Sequence, residues 1–175
     1  MIRAARDADV VGMIAVEAAA GRMFAEVGMD FVAEDDPGTV EELLPYVRDG
    51  RAWVVDGDDD APAAYLIADW VDGNVHVEQV SVDPRYAGRR FGASLVEHVA
   101  QWARERGAPA LTLTTYTEVA WNGPYYERLG FRGLTDPELT PGLRRIRAAE
   151  TAHGLDRWPR ACMRRELGGR KGPNV

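Results

Sequence analysis

Apolar positions change their spacing several times along the chain, and each change marks an element. Residues 2–5 read as a short edge strand. Val10, Met13, Ile14 and Ala18 then recur at the three- and four-residue intervals of a helix face, with Asp7 or Asp9 placed to cap its start. From Gly28 to Gly38 the text turns acidic and irregular. Thr39-Val-Glu-Glu42 has the spacing of a reciprocal capping box, which predicts a second helix from Val40 to about Arg48 that Gly50 ends. Ala52–Val55, Ala63–Trp70 and Val75–Val82 read as a strand meander, turned at Gly57-Asp-Asp-Asp60 and at Asp72-Gly73-Asn74. In the third strand His76, Glu78, Val80 and Val82 share one face, while Val77, Gln79 and Ser81 share the other.

The helical period returns with Phe91, Leu95, Val99 and Trp102 and stops at Gly107. Ala110 to Tyr116 is β-branched and alternating, hence a strand. Asn122-Gly-Pro124 opens a short helix through Tyr126 that Gly130 ends, and Phe131 starts another strand. Thr140-Pro141 reads as a cap and first-turn proline for a last helix to about His153. Arg160 to Leu167 closes the sheet, and residues 168–175 read as a disordered tail. The order β-α-α-β-β-β-α-β-α-β-α-β predicts one domain over residues 1–167, with a mixed α/β (α+β) sheet flanked by helices.

Composition narrows the function. With 175 residues, 46% of them hydrophobic, the chain can bury a core. The balance of 21 basic against 28 acidic residues, net −7, argues against nucleic acid as a partner, since a phosphate-backbone binder needs a basic face. All basic residues but Lys171 are arginine. Cys162 is the single cysteine, the three histidines (His76, His98, His153) are scattered, and no CxxC or HExxH pattern occurs, so no metal site is expected. Neither a secretory leader nor a membrane-length apolar run is present, which predicts a cytoplasmic protein with no membrane partner.

The most informative segment is Val80-Ser-Val-Asp-Pro-Arg-Tyr-Ala-Gly88-Arg-Arg-Phe-Gly92-Ala-Ser-Leu95, a strand end, a glycine-bearing loop and a helix start. Consecutive N–H groups at a helix start bind phosphate, helped by the positive end of the helix dipole. The segment is neither a Walker A loop, because Ala93-Ser94 follows Gly92, nor a G-x-G-x-x-G dinucleotide loop. Taken alone it reads equally as a phosphate cradle or as a plain strand-to-helix turn with arginines in solvent.

Downstream, Trp121-Asn-Gly-Pro-Tyr-Tyr126-Glu-Arg-Leu-Gly130-Phe131 follows a strand and resembles the closing motif of the GCN5-related N-acetyltransferase (GNAT) family. The loop resembles that family's pyrophosphate-binding motif, and the strand before it resembles the family's fourth strand. The family pattern is Gln/Arg-x-x-Gly-x-Gly/Ala, and here those positions hold Ala87, Arg90 and Gly92. Backbone N–H donors survive such replacements, and Arg90 is expected to hold a conformation open to a non-glycine residue.

The resemblance implies a GNAT-like, mostly antiparallel central sheet of about seven strands with splayed fourth and fifth strands. It implies acetyl-CoA (coenzyme A) as cofactor, with Val80, Ser81 and Val82 pairing with the pantetheine arm and Ala87, Gly88, Arg89, Arg90, Phe91, Gly92 and Ala93 holding the pyrophosphate. Its acceptor would be a small-molecule or peptide amine, and a homodimer is compatible with it. Glu78 is the candidate general base, with His76 as alternative or relay, and Tyr126 the candidate general acid, leaving Tyr125 to the core. Asn122 serves as helix cap, as cofactor contact, or as both. The competing reading, from a different class, is a non-catalytic acyl-CoA-binding or sensing domain on the same fold.

Overall fold

The computed structural model describes residues 1–168. Seven strands form one sheet: β1 (Ile2–Ala4), β2 (Ala52–Asp56), β3 (Pro62–Val71), β4 (Asn74–Val82), β5 (Ala110–Tyr116), β6 (Arg132–Gly133) and β7 (Arg160–Glu166), in the order β1-β2-β3-β4-β5-β7-β6. Most of the pairing is antiparallel, and β4 and β5 run parallel in the register Val75↔Leu111 and His76↔Thr112. The helices are α1 (Val10–Gly21), α2 (Asp30–Ala33), α3 (Val40–Arg48), α4 (Phe91–Glu105), α5 (Gly123–Arg128) and α6 (Pro141–Ala152). No helix among the described residues is long and apolar enough to cross a membrane.

The chain divides into two compact units, Met1–Ala68 with Val77–His98, and Asp69–His76 with the chain from Val99 onward. In the first, the apolar stripe Val10, Met13 and Val16 of α1 joins Leu43 and Val47 of α3 and Val54, Tyr65 and Ile67 of the sheet in one core. The capping box at the start of α3 forms as its spacing predicts, with Glu42 N donating to Thr39 Oγ1 (3.2 Å) and Thr39 N to Glu42 Oε2 (3.4 Å).

Three local expectations are corrected. Asp9 does not cap α1 with its side chain. Its carboxylate is taken by Arg6 N (2.7 Å) and by the Arg3 guanidinium (2.7 and 2.9 Å), closing the turn at Asp7–Asp9 instead. The irregular stretch after α1 is partly regular: a 3₁₀ turn at Arg22–Val27 ends on Gly28 at φ +76°, and α2 follows. Thr140 makes no side-chain cap on α6. Gly142 N donates instead to Asp72 Oδ2 (2.8 Å), 70 residues away on the β3–β4 turn. That turn has φ +52° at Asp72 and +82° at Gly73, the two positive values a tight hairpin demands.

In the second unit β5 is buried along almost its whole length, and the hydrogen bonds of its three threonines follow from that burial. Thr112 Oγ1 meets His76 Nδ1 (2.8 Å), Thr114 Oγ1 donates to Glu150 Oε2 (2.6 Å), and Thr115 Oγ1 donates to Asn122 Oδ1 (2.8 Å). Glu150 also accepts from Arg147 (2.7 Å) and Arg160 (3.0 Å), which ties α6 to β5 and β7. Of the tail expected at 168–175, residues 169–175 lie outside the described residues.

Candidate active site

In the first unit β4 leads directly into the loop and α4. Glu78 is exposed on the strand, Val80 and Val82 are half-buried, and Ser81 is buried, accepting from Gln79 Nε2 (2.8 Å). Asp83 ends the strand and caps the following turn, its Oδ1 accepting from Arg85 N (2.9 Å) while its Oδ2 takes the Arg85 side chain (2.8 and 3.1 Å). Hydrogen bonds from Arg85 hold the Asp83 carboxyl below the usual carboxylate range.

Tyr86 anchors the loop from below. Its ring is buried and stacks near Phe91 (centroids 6.0 Å apart), and its hydroxyl accepts from Asp58 N (3.1 Å). The fit depends on Gly57, where a Cβ would collide with the Tyr86 hydroxyl and lie 2.7 Å from Cζ. Gly57→Ala is therefore expected to cost about 2 kcal/mol, the usual range for overpacking a fitted site. A Tm unchanged within about 1 °C in a thermal melt would contradict that anchoring.

Above Tyr86 the loop is open. Ala87, Gly88, Arg89 and Arg90 are exposed, Phe91 is half-buried, and Gly92 and Ala93 are buried. Gly88 has φ +82° and its absent Cβ faces open space. Arg90 has φ +60°, the left-handed conformation that favours glycine, so it does not relax into an ordinary backbone geometry. At the start of α4 Ser94 N donates to Arg90 O (3.0 Å), which leaves the Phe91, Gly92 and Ala93 amides at the helix mouth. Three arginines sit here with different freedom: Arg85 is held by Asp83, Arg89 pairs with Asp58 (3.2 Å) over the Tyr86 ring, and Arg90 is exposed.

The left-handed Arg90 costs about 1–2 kcal/mol relative to glycine, partly offset by the greater freedom of an unfolded glycine. Arg90→Gly is expected to stabilise the fold by about 0.5–1 kcal/mol, a Tm rise of about 2 °C. A lower Tm would mean that the Arg90 side chain contributes more than its backbone strain costs.

The other candidates belong to the second unit. His76 is 2% exposed, and burial pulls its imidazole down to about 4 against the weaker upward pull of Glu150 and Asp69, so it is neutral at physiological pH. Tyr126 is buried at 9% exposure, with its ring 5.8 Å from Phe131. Burial first, and Tyr125 second, raise its phenol above the ordinary value, so it keeps its proton. This reverses the expectation for the tyrosine pair: Tyr125 is only half-buried, because the short α5 turns Tyr126 toward Phe131. Asn122 stands at the N-cap position of α5 yet makes no side-chain cap; its Oδ1 is occupied by Thr115. Sequence reasoning missed Asp83, Tyr86 and Thr115. Asp83-Pro84 carries the same cap-then-proline signal as Thr140-Pro141 and could have been found; nothing local marks the other two.

The strand–loop–helix thus stands within a seven-stranded mixed sheet of the α/β class. The family model described as Acetyltransferase (GNAT) family matches residues 21–131, and the chain belongs to that family. An acetyltransferase of the GNAT family from Staphylococcus aureus superposes with a TM-score of 0.73 at 14% identity, covering 96% of this chain and 99% of that one. The PaiA N-acetyltransferase of Thermoplasma acidophilum, solved in complex with coenzyme A, gives 0.70 at 12% identity over 95% and 98% of the two chains. At these identities the likeness is one of fold. Thialysine N-epsilon-acetyltransferase of Sus scrofa is 29% identical over 77 residues, 42% of this chain and 44% of that protein, so the match spans under half of the relative.

Proposed function

We propose that the chain transfers an acetyl group from acetyl-CoA to a primary amine. The observation that carries this reading is the loop geometry: Gly88 and Arg90 both at positive φ, directly ahead of the Phe91, Gly92 and Ala93 amides at the mouth of a 15-residue helix. Such a mouth suits a pyrophosphate, with the helix dipole behind the amides and Arg90 exposed beside them. Ala87 contributes its backbone and little else, since its side chain is a methyl group. Val80, Ser81 and Val82 offer the strand backbone along which a pantetheine arm could add, and Asn122 offers a side-chain amide.

Bound acetyl-CoA supplies the acetyl thioester; the chain supplies proton management. An alkyl ammonium has a pKa of about 10.4, so its proton must leave before the nitrogen can act as nucleophile. Glu78, exposed on β4, takes that role as general base. His76 is less suited to it, because it is buried and its Nδ1 is engaged by Thr112 Oγ1 at 2.8 Å. Tyr126 keeps its hydroxyl proton and delivers it to the departing thiolate. The acceptor class is a primary amine, a reading to which the likeness to an N-epsilon-acetyltransferase lends support.

The test has two arms. Coenzyme A at about 100 times its Kd should add about 2.7 kcal/mol of stability, read as a rise in the unfolding midpoint. A thiol-release screen over diamines, amino acids and peptides should then find turnover with at least one amine. No midpoint shift would remove the cofactor from the reading, and a shift without thiol release from any amine would favour an acyl-CoA sensor.

A further inference from the structure

The second half of β4 is oriented against its hydrophobic pattern. Val80 and Val82 are only half-buried and Glu78 is exposed, while Ser81, between the two valines, is 5% exposed. A strand oriented by apolar burial alone would turn its valines in and its serine out. Something other than apolar contact therefore holds this stretch, and the polar partners of Ser81 supply it.

Those partners form one chain, all of it within the first unit. Gln79 Nε2 donates to Ser81 Oγ (2.8 Å), and Ser81 in turn hydrogen-bonds the Tyr65 hydroxyl. Tyr65 donates to Glu17 Oε2 (3.2 Å), which also accepts from Gly38 N (3.0 Å). The ends give the chain its direction. A carboxylate only accepts and an amide nitrogen only donates, so each hydroxyl between them accepts from one neighbour and donates to the next. Tyr65 is fully buried on β3, and burial first, then Glu17, raise its phenol, so the donated proton stays in place. Glu17 Oε2 thereby joins α1, β3 and the residue that precedes the cap of α3. We propose that Tyr65, with Glu17 behind it, is a positioning residue: the chain keeps Ser81 and Gln79 on the buried side of β4 and so fixes the direction in which Glu78 projects. The alternation of side chains along a strand carries that constraint from Gln79 and Ser81 to their neighbour. This rests on the reading of Glu78 as general base and adds two residues that act only through β4.

Tyr65→Phe keeps the ring and removes the hydroxyl. Glu17→Gln keeps an acceptor oxygen, and Glu17→Ala removes it. With an amine identified by thiol release, kcat at pH 7 is expected to fall about tenfold in Tyr65→Phe and about five-fold in Glu17→Ala, and to stay within about two-fold in Glu17→Gln. The lost rate should return as the pH rises toward 10, because a misdirected Glu78 leaves the reaction to the free amine. Tyr65→Phe/Glu78→Gln should be no slower than Glu78→Gln alone, since both changes remove the same base. A merely structural role would lower the unfolding midpoint and leave the parent's pH profile, or give losses that multiply in the double variant. Either result overturns the proposal.

A ligand-free readout separates this inference from the reading beneath it. Measured against the amides of β2, those of residues 79–82 should exchange with deuterium faster in Tyr65→Phe and Glu17→Ala than in the parent, and at the parent's rate in Glu17→Gln. Unchanged relative exchange in Tyr65→Phe overturns the positioning role whatever the catalytic rates. If the parent releases no thiol with any amine, the acetyl-transfer reading falls, and the exchange pattern alone decides whether the chain holds β4.

Discussion

Glu78→Gln is expected to lower kcat for amine acetylation by about 10²–10³-fold at pH 7, while the Kd of coenzyme A stays within about two-fold. The reason is proton supply. With an ammonium pKa of about 10.4, only about one amine in 2,500 is unprotonated at pH 7. In the proposed mechanism a carboxylate on β4 converts the abundant ammonium form in place, whereas glutamine keeps the shape and loses the basicity. The variant must wait for the rare free amine, so its rate should climb about tenfold per pH unit toward pH 10 while the parent levels off earlier. That pH profile is the decisive readout. An unchanged kcat would remove Glu78 from the chemistry, and equal losses of rate and cofactor affinity would point to a disturbed strand.

The second large effect concerns stability and His76. A buried imidazole brought down to about 4 from an unfolded value near 6.5 is held neutral by the fold. The contribution is therefore complete above pH 6.5 and is lost as pH falls toward 4, because the unfolded chain takes up the proton first. At 1.36 kcal/mol per pH unit the loss amounts to about 3 kcal/mol across that window. Glu17 works in the other direction: burial raises its carboxyl, so acid relieves a cost there. Comparison with His76→Gln cancels that contribution, since Glu17 is common to both proteins. Urea unfolding at pH 7, 6, 5 and 4.5 should show a steep decline in the parent and a shallower one in the variant. Parallel curves would mean that His76 titrates normally.

Much of this fold could be read from spacing because its determinants are local. The box Thr39/Glu42 encodes both ends of one turn in four residues, and the alternation of Ala110 to Tyr116 marks β5 to the residue. What escaped depends on partners outside the turn that carries the signal. Asp9 looks like a helix cap until Arg3 claims its carboxylate, and Thr140 looks like one until Asp72 supplies the bond. The site divides in the same way. The Gly88–Ala93 loop and the Asn122–Tyr126 run were legible as motifs. The left-handed Arg90 was not, since a strained backbone is imposed by surroundings that the local text does not contain. Nor was the order of the tyrosines, because a six-residue helix presents too little periodicity to say which ring faces inward.

The bond from Gly142 N to Asp72 Oδ2 has a consequence for time as well as for geometry. A cap drawn from the helix's own neighbouring residues is ready as soon as that segment exists. The cap of α6 instead waits for a hairpin 70 residues earlier in the chain to be closed and for the intervening loop to be brought round. A helix of 12 residues is marginal alone in water, and α6 begins with a proline and a glycine. Position 142 has no room for a larger side chain, as a Cβ there would stand 2.6 Å from both Asp72 Oδ2 and Val71 Cγ1. We therefore expect α6 to form late in folding, once the β3–β4 turn has closed to receive it, so that its amides exchange with deuterium before those of β5 in a native-state hydrogen-exchange experiment.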